Sequence, residues 1–217
     1  MSAERQPVFN APWPPLLLAA IIFLSFGFQE MLGGEAIKQY YAFSGQALAA
    51  GRWETLLTSL FLHGGWAHAA TNGAFALAFG TPVSRYVGES LRGVSVFTLF
   101  YVTGGVISCL GFLLLHRENA AVIGASGAVS GLMGAAARLI AGRGVPGPYL
   151  SSPVIGMTTA WVGVNLLFAV VGFVPGLGEG VMAWEAHLVG YAAGLFLIGP
   201  FGRLAGWGHE EAPAGDH

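Results

Sequence analysis

Charge is scarce in this sequence. Only 9% of its 217 residues are charged, against roughly 25% in ordinary soluble proteins. A single cysteine, Cys109, excludes an internal disulfide and any cysteine-based metal cluster. A net charge of −2 offers no positive surplus for nucleic acid. The chain also lacks a repeat of 20–50 residues, a low-complexity tract and an interdomain linker. Neither a metal nor a cofactor is expected.

What is present is apolar. Aliphatic and aromatic residues make up 54% of the chain, and mean hydropathy is +0.65. A membrane helix needs about 20 largely apolar residues. Six segments approach that length: roughly 13–32, 66–84, 93–115, 122–141, 153–175 and 183–202. The first is too long for a signal-peptide core and has no small-residue cleavage site before Gly33, so it is expected to be retained. The expected fold class is an all-α polytopic membrane protein of six transmembrane helices with a long first loop. Its organisation reads as a cytoplasmic segment over 1–12, a membrane domain over 13–205 and a disordered tail over 206–217.

Thirty-four glycines suit closely approaching membrane helices. The connection from Gly33 to Gly65 mixes Tyr40, Tyr41, Phe43, Trp53 and Leu60 with polar residues, as an interfacial segment does. The turn Gly172–Gly180 is rich in Gly and Pro and reads as a flexible cap. Arg5, Arg85, Arg92, Arg138, Arg143 and Arg203 fall on one side of a six-span chain. Lys38, Arg52 and Arg117 fall on the other. The positive-inside rule then puts both termini in the cytoplasm.

Polar groups inside a span are costly and point to function. His68 and Asn72, Ser126 and Ser130, Asn165, and His187 stand out. Ser126 lies 12 residues before Arg138, His187 lies 16 before Arg203, and His68 and Asn72 lie 17 and 13 before Arg85. At 1.5 Å per residue all four sit very roughly 18–26 Å from the inner face. They share one layer in the outer half of the bilayer, each near a helix N-terminus. A serine hydroxyl needs a base to become nucleophilic, and His187 is the candidate. His68 and Asn72, spaced i, i+4, share a helix face and could donate to an oxyanion beside the Ser126 N–H. No Asp or Glu lies deep in a span, and Glu185 falls on another face from His187, so the expectation is a dyad.

Each piece also has a plainer role. Gly124, Gly127, Gly190 and Gly194 could form a packing seam, the last two as a GxxxG pattern that would draw His187 toward Ser126. Ser130 could bond back to its own helix, and Asn165 could bond a neighbouring helix. His116, His209 and His217 look like loop or tail residues without a partner. Ala128 occupies the last glycine position of GxSxG, which removes the α/β-hydrolase reading.

Taken together, Gly124-Ala-Ser-Gly127, His187 followed by Gly190 and Gly194, and His63-x4-His68-x3-Asn72 resemble the rhomboid family of intramembrane serine proteases. The likeness spans about 56–205, in the family's order. It implies a rhomboid-like bundle in the bacterial inner membrane, with no cofactor. It also implies hydrolysis of peptide bonds in or beside transmembrane segments of single-span substrates within the lipid bilayer. Ser126 matches the nucleophile, His187 the base, His68 and Asn72 the oxyanion pair, and His63 a support of the first loop. Two positions depart from the pattern. Glu54 and Thr55 stand where many members have Trp-Arg, and Ser130 stands where an aromatic commonly packs on the histidine. What steadies the His187 ring is therefore open, as are oligomeric state and substrate identity. The alternatives are a non-catalytic rhomboid-like protein that binds transmembrane clients, and a small transporter or channel.

Overall fold

The computed structural model describes residues 11–116, 120–172 and 182–207. The expectations for most of the N-terminal segment, for the cap from 173 and for the tail from 208 lie outside these residues. Six helices form the bundle: α1 (Trp13–Met31), α5 (Trp66–Val87), α6 (Leu91–Leu115), α7 (Ser126–Ala141), α8 (Ser152–Val171) and α9 (Trp184–Ala205). Among the described residues, four of them, α1, α6, α8 and α9, are long and apolar enough to cross a bilayer on that criterion alone. The expectation of six is met only in part.

The two exceptions have physical causes. Helix α7 has 16 residues, and at 1.5 Å each it spans about 24 Å, short of a hydrocarbon core of about 30 Å. Every residue from Gly127 to Leu139 is buried, because α7 is walled in by its neighbours and scarcely meets lipid. Helix α5 carries His68, Thr71, Asn72 and Arg85, which lower its hydropathy. The core around α7 joins Ile22 and Phe26 of α1, Val83 of α5, Phe100 of α6, Leu132 of α7 and Ile198 of α9. Helix α8 is the opposite case, since Val154 and Asn165 are its buried residues.

Helix α7 packs most extensively on α9, through glycine against glycine. A β-carbon on Gly190 would lie 2.2 Å from the Gly127 carbonyl oxygen, and one on Gly194 would lie 1.8 Å from that of Gly131. Backbones can approach this closely only where side chains are absent, and dispersion over such seams drives helix association in lipid.

Between α1 and α5 the first loop is folded. It contains α2 (Gly34–Tyr41), strand β1 (Phe43–Ser44), α3 (Gly45–Ala49), α4 (Thr55–Thr58) and a 3-10 turn over Ser59–Phe61. Strand β1 pairs antiparallel with β2 (Ala121–Val122), Phe43 facing Val122. This ties the loop to the residues that lead into α7. Helix α1 is tied to the other end of the loop, where the Gln29 amide donates to His63 O at 2.8 Å and accepts from His63 N–H at 2.9 Å. Burial pushes the His63 ring down to a pKa of about 3, so it stays neutral. Arg52 lies 4.0 Å over the Tyr40 ring, and its guanidinium also donates to Tyr40 O.

Candidate functional site

The start of α7 is set by backbone conformation. After β2 the chain passes through Gly124 at φ 119°, a region that favours glycine. The Gly124 N–H is held by Ser59 O at 2.8 Å. A side chain here would also be crowded, since a β-carbon would come within 2.9 Å of the His68 ring. The turn places Ser126 as the first residue of α7, four residues later than the expected segment start. As a first-turn residue, Ser126 has a backbone N–H without an intrahelical acceptor.

Helices α5 and α9 deliver His68 and His187 in their first turns. His187 Nε2 lies 2.7 Å from Ser126 Oγ. This is full hydrogen-bond reach. The other ring nitrogen, Nδ1, lies 2.9 Å from Oδ1 of Asn165 on α8. The Trp161 ring, one turn earlier on α8, stands 5.8 Å from the His187 ring at 38°. Ser130 bonds back to Ser126 O at 2.7 Å and so does not meet the imidazole.

His68 Nδ1 accepts the Gly64 N–H at 3.3 Å, which leaves the ring proton on Nε2. A β-carbon built on Gly124 would fall 3.0 Å from that Nε2 and 3.6 Å from Ser126 Oγ, so Nε2 faces the neighbourhood of the serine. Asn72 Nδ2 donates one proton to His68 O at 3.0 Å, and its second proton is available to another acceptor. Ser126, His187, His68, Asn72, Asn165 and Trp161 all line one cavity of about 1130 Å³. Its wall continues to Lys38, Gln39 and Arg52 of the first loop, so polar groups run from the loop down to the serine.

Several contacts went unread in the sequence. Ser108 Oγ donates to Ala186 O at 2.8 Å and fills the space beside Gly127, where a β-carbon would meet it at 1.9 Å. His116 has a partner after all: Nδ1 lies 2.9 Å from Glu185 Oε1, and its ring stacks on Phe112. Glu185 thus faces α6 while His187 faces α7, as a two-residue offset on one helix requires. A polar side chain inside a span is the sequence signal of such roles; it is present at Gln29 and Ser108, and at Asn165, where the expected bond to a neighbouring helix is found.

A family model described as the rhomboid domain matches residues 50–203, well over half of the chain. The chain belongs to the rhomboid family. It is a membrane-embedded member, given the long apolar helices. Rhomboid protease GluP of Bacillus subtilis (strain 168) is 28% identical over 202 residues, covering 91% of this chain and 35% of GluP. YdcA of the same bacterium, provisionally described as a rhomboid protease, is 31% identical over 87 residues, covering 40% of this chain and 41% of YdcA. The matches therefore take in well under half of either relative. A rhomboid domain of this kind is consistent with a protease-like or client-binding role.

Proposed function

We propose that this rhomboid is an intramembrane serine endopeptidase, cutting peptide bonds in or next to transmembrane segments of single-span membrane proteins. The observation that carries the reading is the 2.7 Å approach of His187 Nε2 to Ser126 Oγ. In the proposed reaction Ser126 Oγ attacks the scissile carbonyl carbon as its proton passes to His187 Nε2. The carbonyl oxygen becomes an oxyanion, met by the Ser126 N–H, the His68 Nε2–H and the second Nδ2 proton of Asn72. The tetrahedral intermediate collapses to an acyl ester on Ser126, and His187 returns its proton to the departing amine. Water then attacks the ester with His187 again as base, releasing the carboxylic acid product and the free serine.

Helices α5 and α7 lie within the membrane in this reading, giving six spans. The six-to-three distribution of Arg and Lys favours cytoplasmic termini. Ser126 then sits in the outer half of the bilayer. Water for deacylation would arrive through the cavity, whose wall carries Lys38, Gln39 and Arg52. Asn72→Ala should slow cleavage by about 10²–10³-fold, the usual loss for one oxyanion donor. Comparing kcat for wild type and variant on one substrate checks this.

The test of the reaction itself is reconstitution. The purified chain, in liposomes with a model single-span substrate, should yield two fragments whose junction lies in or beside the transmembrane segment. Intact substrate across a panel of such segments would contradict the proposal and leave client binding as the family role.

A further inference from the structure

Helix α8 is mostly exposed to its surroundings, yet one of its two buried residues is an asparagine bonded to His187. We propose that Asn165 is the positioning residue for His187, so that the Ser126–His187 dyad is oriented by a third, hydrogen-bonded side chain. This rests on the reading of Ser126 and His187 as nucleophile and base.

The hydrogen bonds determine the tautomer of His187. Asn165 Nδ2 donates to Trp161 O at 2.8 Å. That bond orients the amide, because the opposite orientation would set two carbonyl oxygens against each other. Oδ1 is thereby the atom facing His187 Nδ1 at 2.9 Å. A carbonyl oxygen only accepts, so Nδ1 carries the ring proton and Nε2 presents its lone pair to Ser126 Oγ. A general base needs this tautomer, and the other would point an N–H at the hydroxyl. When Nε2 takes up the serine proton, both ring nitrogens become donors and the bond to Oδ1 is retained. Asn165 is fully buried and His187 nearly so. Loss of Oδ1 would therefore leave a buried donor unmet. Trp161 adds a steric limit on ring rotation from the same face of α8, one turn away. Helix α8 therefore supplies what Ser130 on α7 does not.

The experiment uses the full chain in micelles, labelled with ¹⁵N-histidine. The His187 signals are assigned by their disappearance in His187→Ala. Wild type is expected to show Nδ1 protonated and Nε2 unprotonated. Asn165→Leu, close in volume but without an acceptor, should show exchange between the two tautomers. The same variant should lose about tenfold to a hundredfold in kcat with KM unchanged. Asn165→Asp, which restores an acceptor at the same place, should recover most of that loss. A wild-type His187 protonated at Nε2 would overturn the proposal, as would an Asn165→Leu protein with wild-type spectrum and kcat. Should Asn165→Leu fail to fold, the wild-type spectrum and the Asp variant still decide. If wild type cuts no substrate while the spectra behave as expected, the protease reading fails and the positioning of His187 stands. If wild type cuts and Asn165→Leu cuts equally fast, the positioning fails and the protease reading stands.

Discussion

Ser126→Ala protein should insert, fold and leave a transmembrane substrate uncut. The proposed first step is bond formation by Oγ, and Ser130 Oγ, one helical turn on, is not free to replace it because it is committed to Ser126 O at 2.7 Å. In a soluble serine protease, loss of the nucleophile alone costs about 10⁶-fold in kcat. A loss of that order here would put cleavage below detection. The fold should survive, because Oγ contributes one hydrogen bond, to His187, and alanine favours a helix more than serine does. Equal thermal unfolding of wild type and variant, read beside the cleavage assay, separates lost chemistry from lost structure. Cleavage by the alanine variant at the wild-type rate would remove Ser126 from the mechanism.

Gly194→Val should give the second large effect, through the fold. The added β-carbon would stand 1.8 Å from the Gly131 carbonyl oxygen. Backbone cannot swing aside as a flexible side chain can, so α9 must move away from α7. Overpacking of this kind costs about 1–3 kcal/mol where a core can adjust, and the helices forced apart here are those that carry Ser126 and His187. Gly194→Val should therefore unfold at a lower temperature and lose cleavage. Gly199→Ala is the control: it lies on the same helix and its β-carbon would meet nothing within 4 Å. Its stability and activity should match wild type. A fully active and stable Gly194→Val would mean that the seam does not govern the approach of His187 to Ser126.

The bundle was legible in the sequence to differing depths. Helices α1 and α6 follow long apolar runs, and their observed ends lie within about two residues of those expected, the usual uncertainty of helix termini. The start of α7 was harder, because Ala121–Val122 continues the apolar run but pairs as β2 with a strand some eighty residues earlier in the chain. Composition records no such long-range pairing. The end of α8 also came earlier than expected, at a left-handed Gly172 (φ 67°), although the run stays apolar beyond it. Of the six expected spans, α7 and α5 fall short of a membrane-crossing helix by length and hydropathy, α7 because it has 16 residues and α5 because it carries His68, Thr71, Asn72 and Arg85. Within the site, helix direction and residue depth were enough to group Ser126, His187, His68 and Asn72 on one cavity wall. Asn165 was singled out but linked to no ring. Its helix runs the opposite way, so counting from a cytoplasmic arginine on its own segment could not set it level with His187. The partner for His116 depended on two helix ends meeting, which neither local sequence predicts.

The central claim is that Ser126 becomes a nucleophile because His187 Nε2 stands 2.7 Å away. Covalent labelling tests it most directly, because it needs no knowledge of the substrate. The full chain in micelles is treated with a fluorophosphonate and the modified peptide is located by mass spectrometry. One adduct is expected, on Ser126, and it should be absent in Ser126→Ala and in His187→Ala. An unlabelled Ser126 in folded wild-type protein, or labelling undiminished in His187→Ala, would contradict the claim.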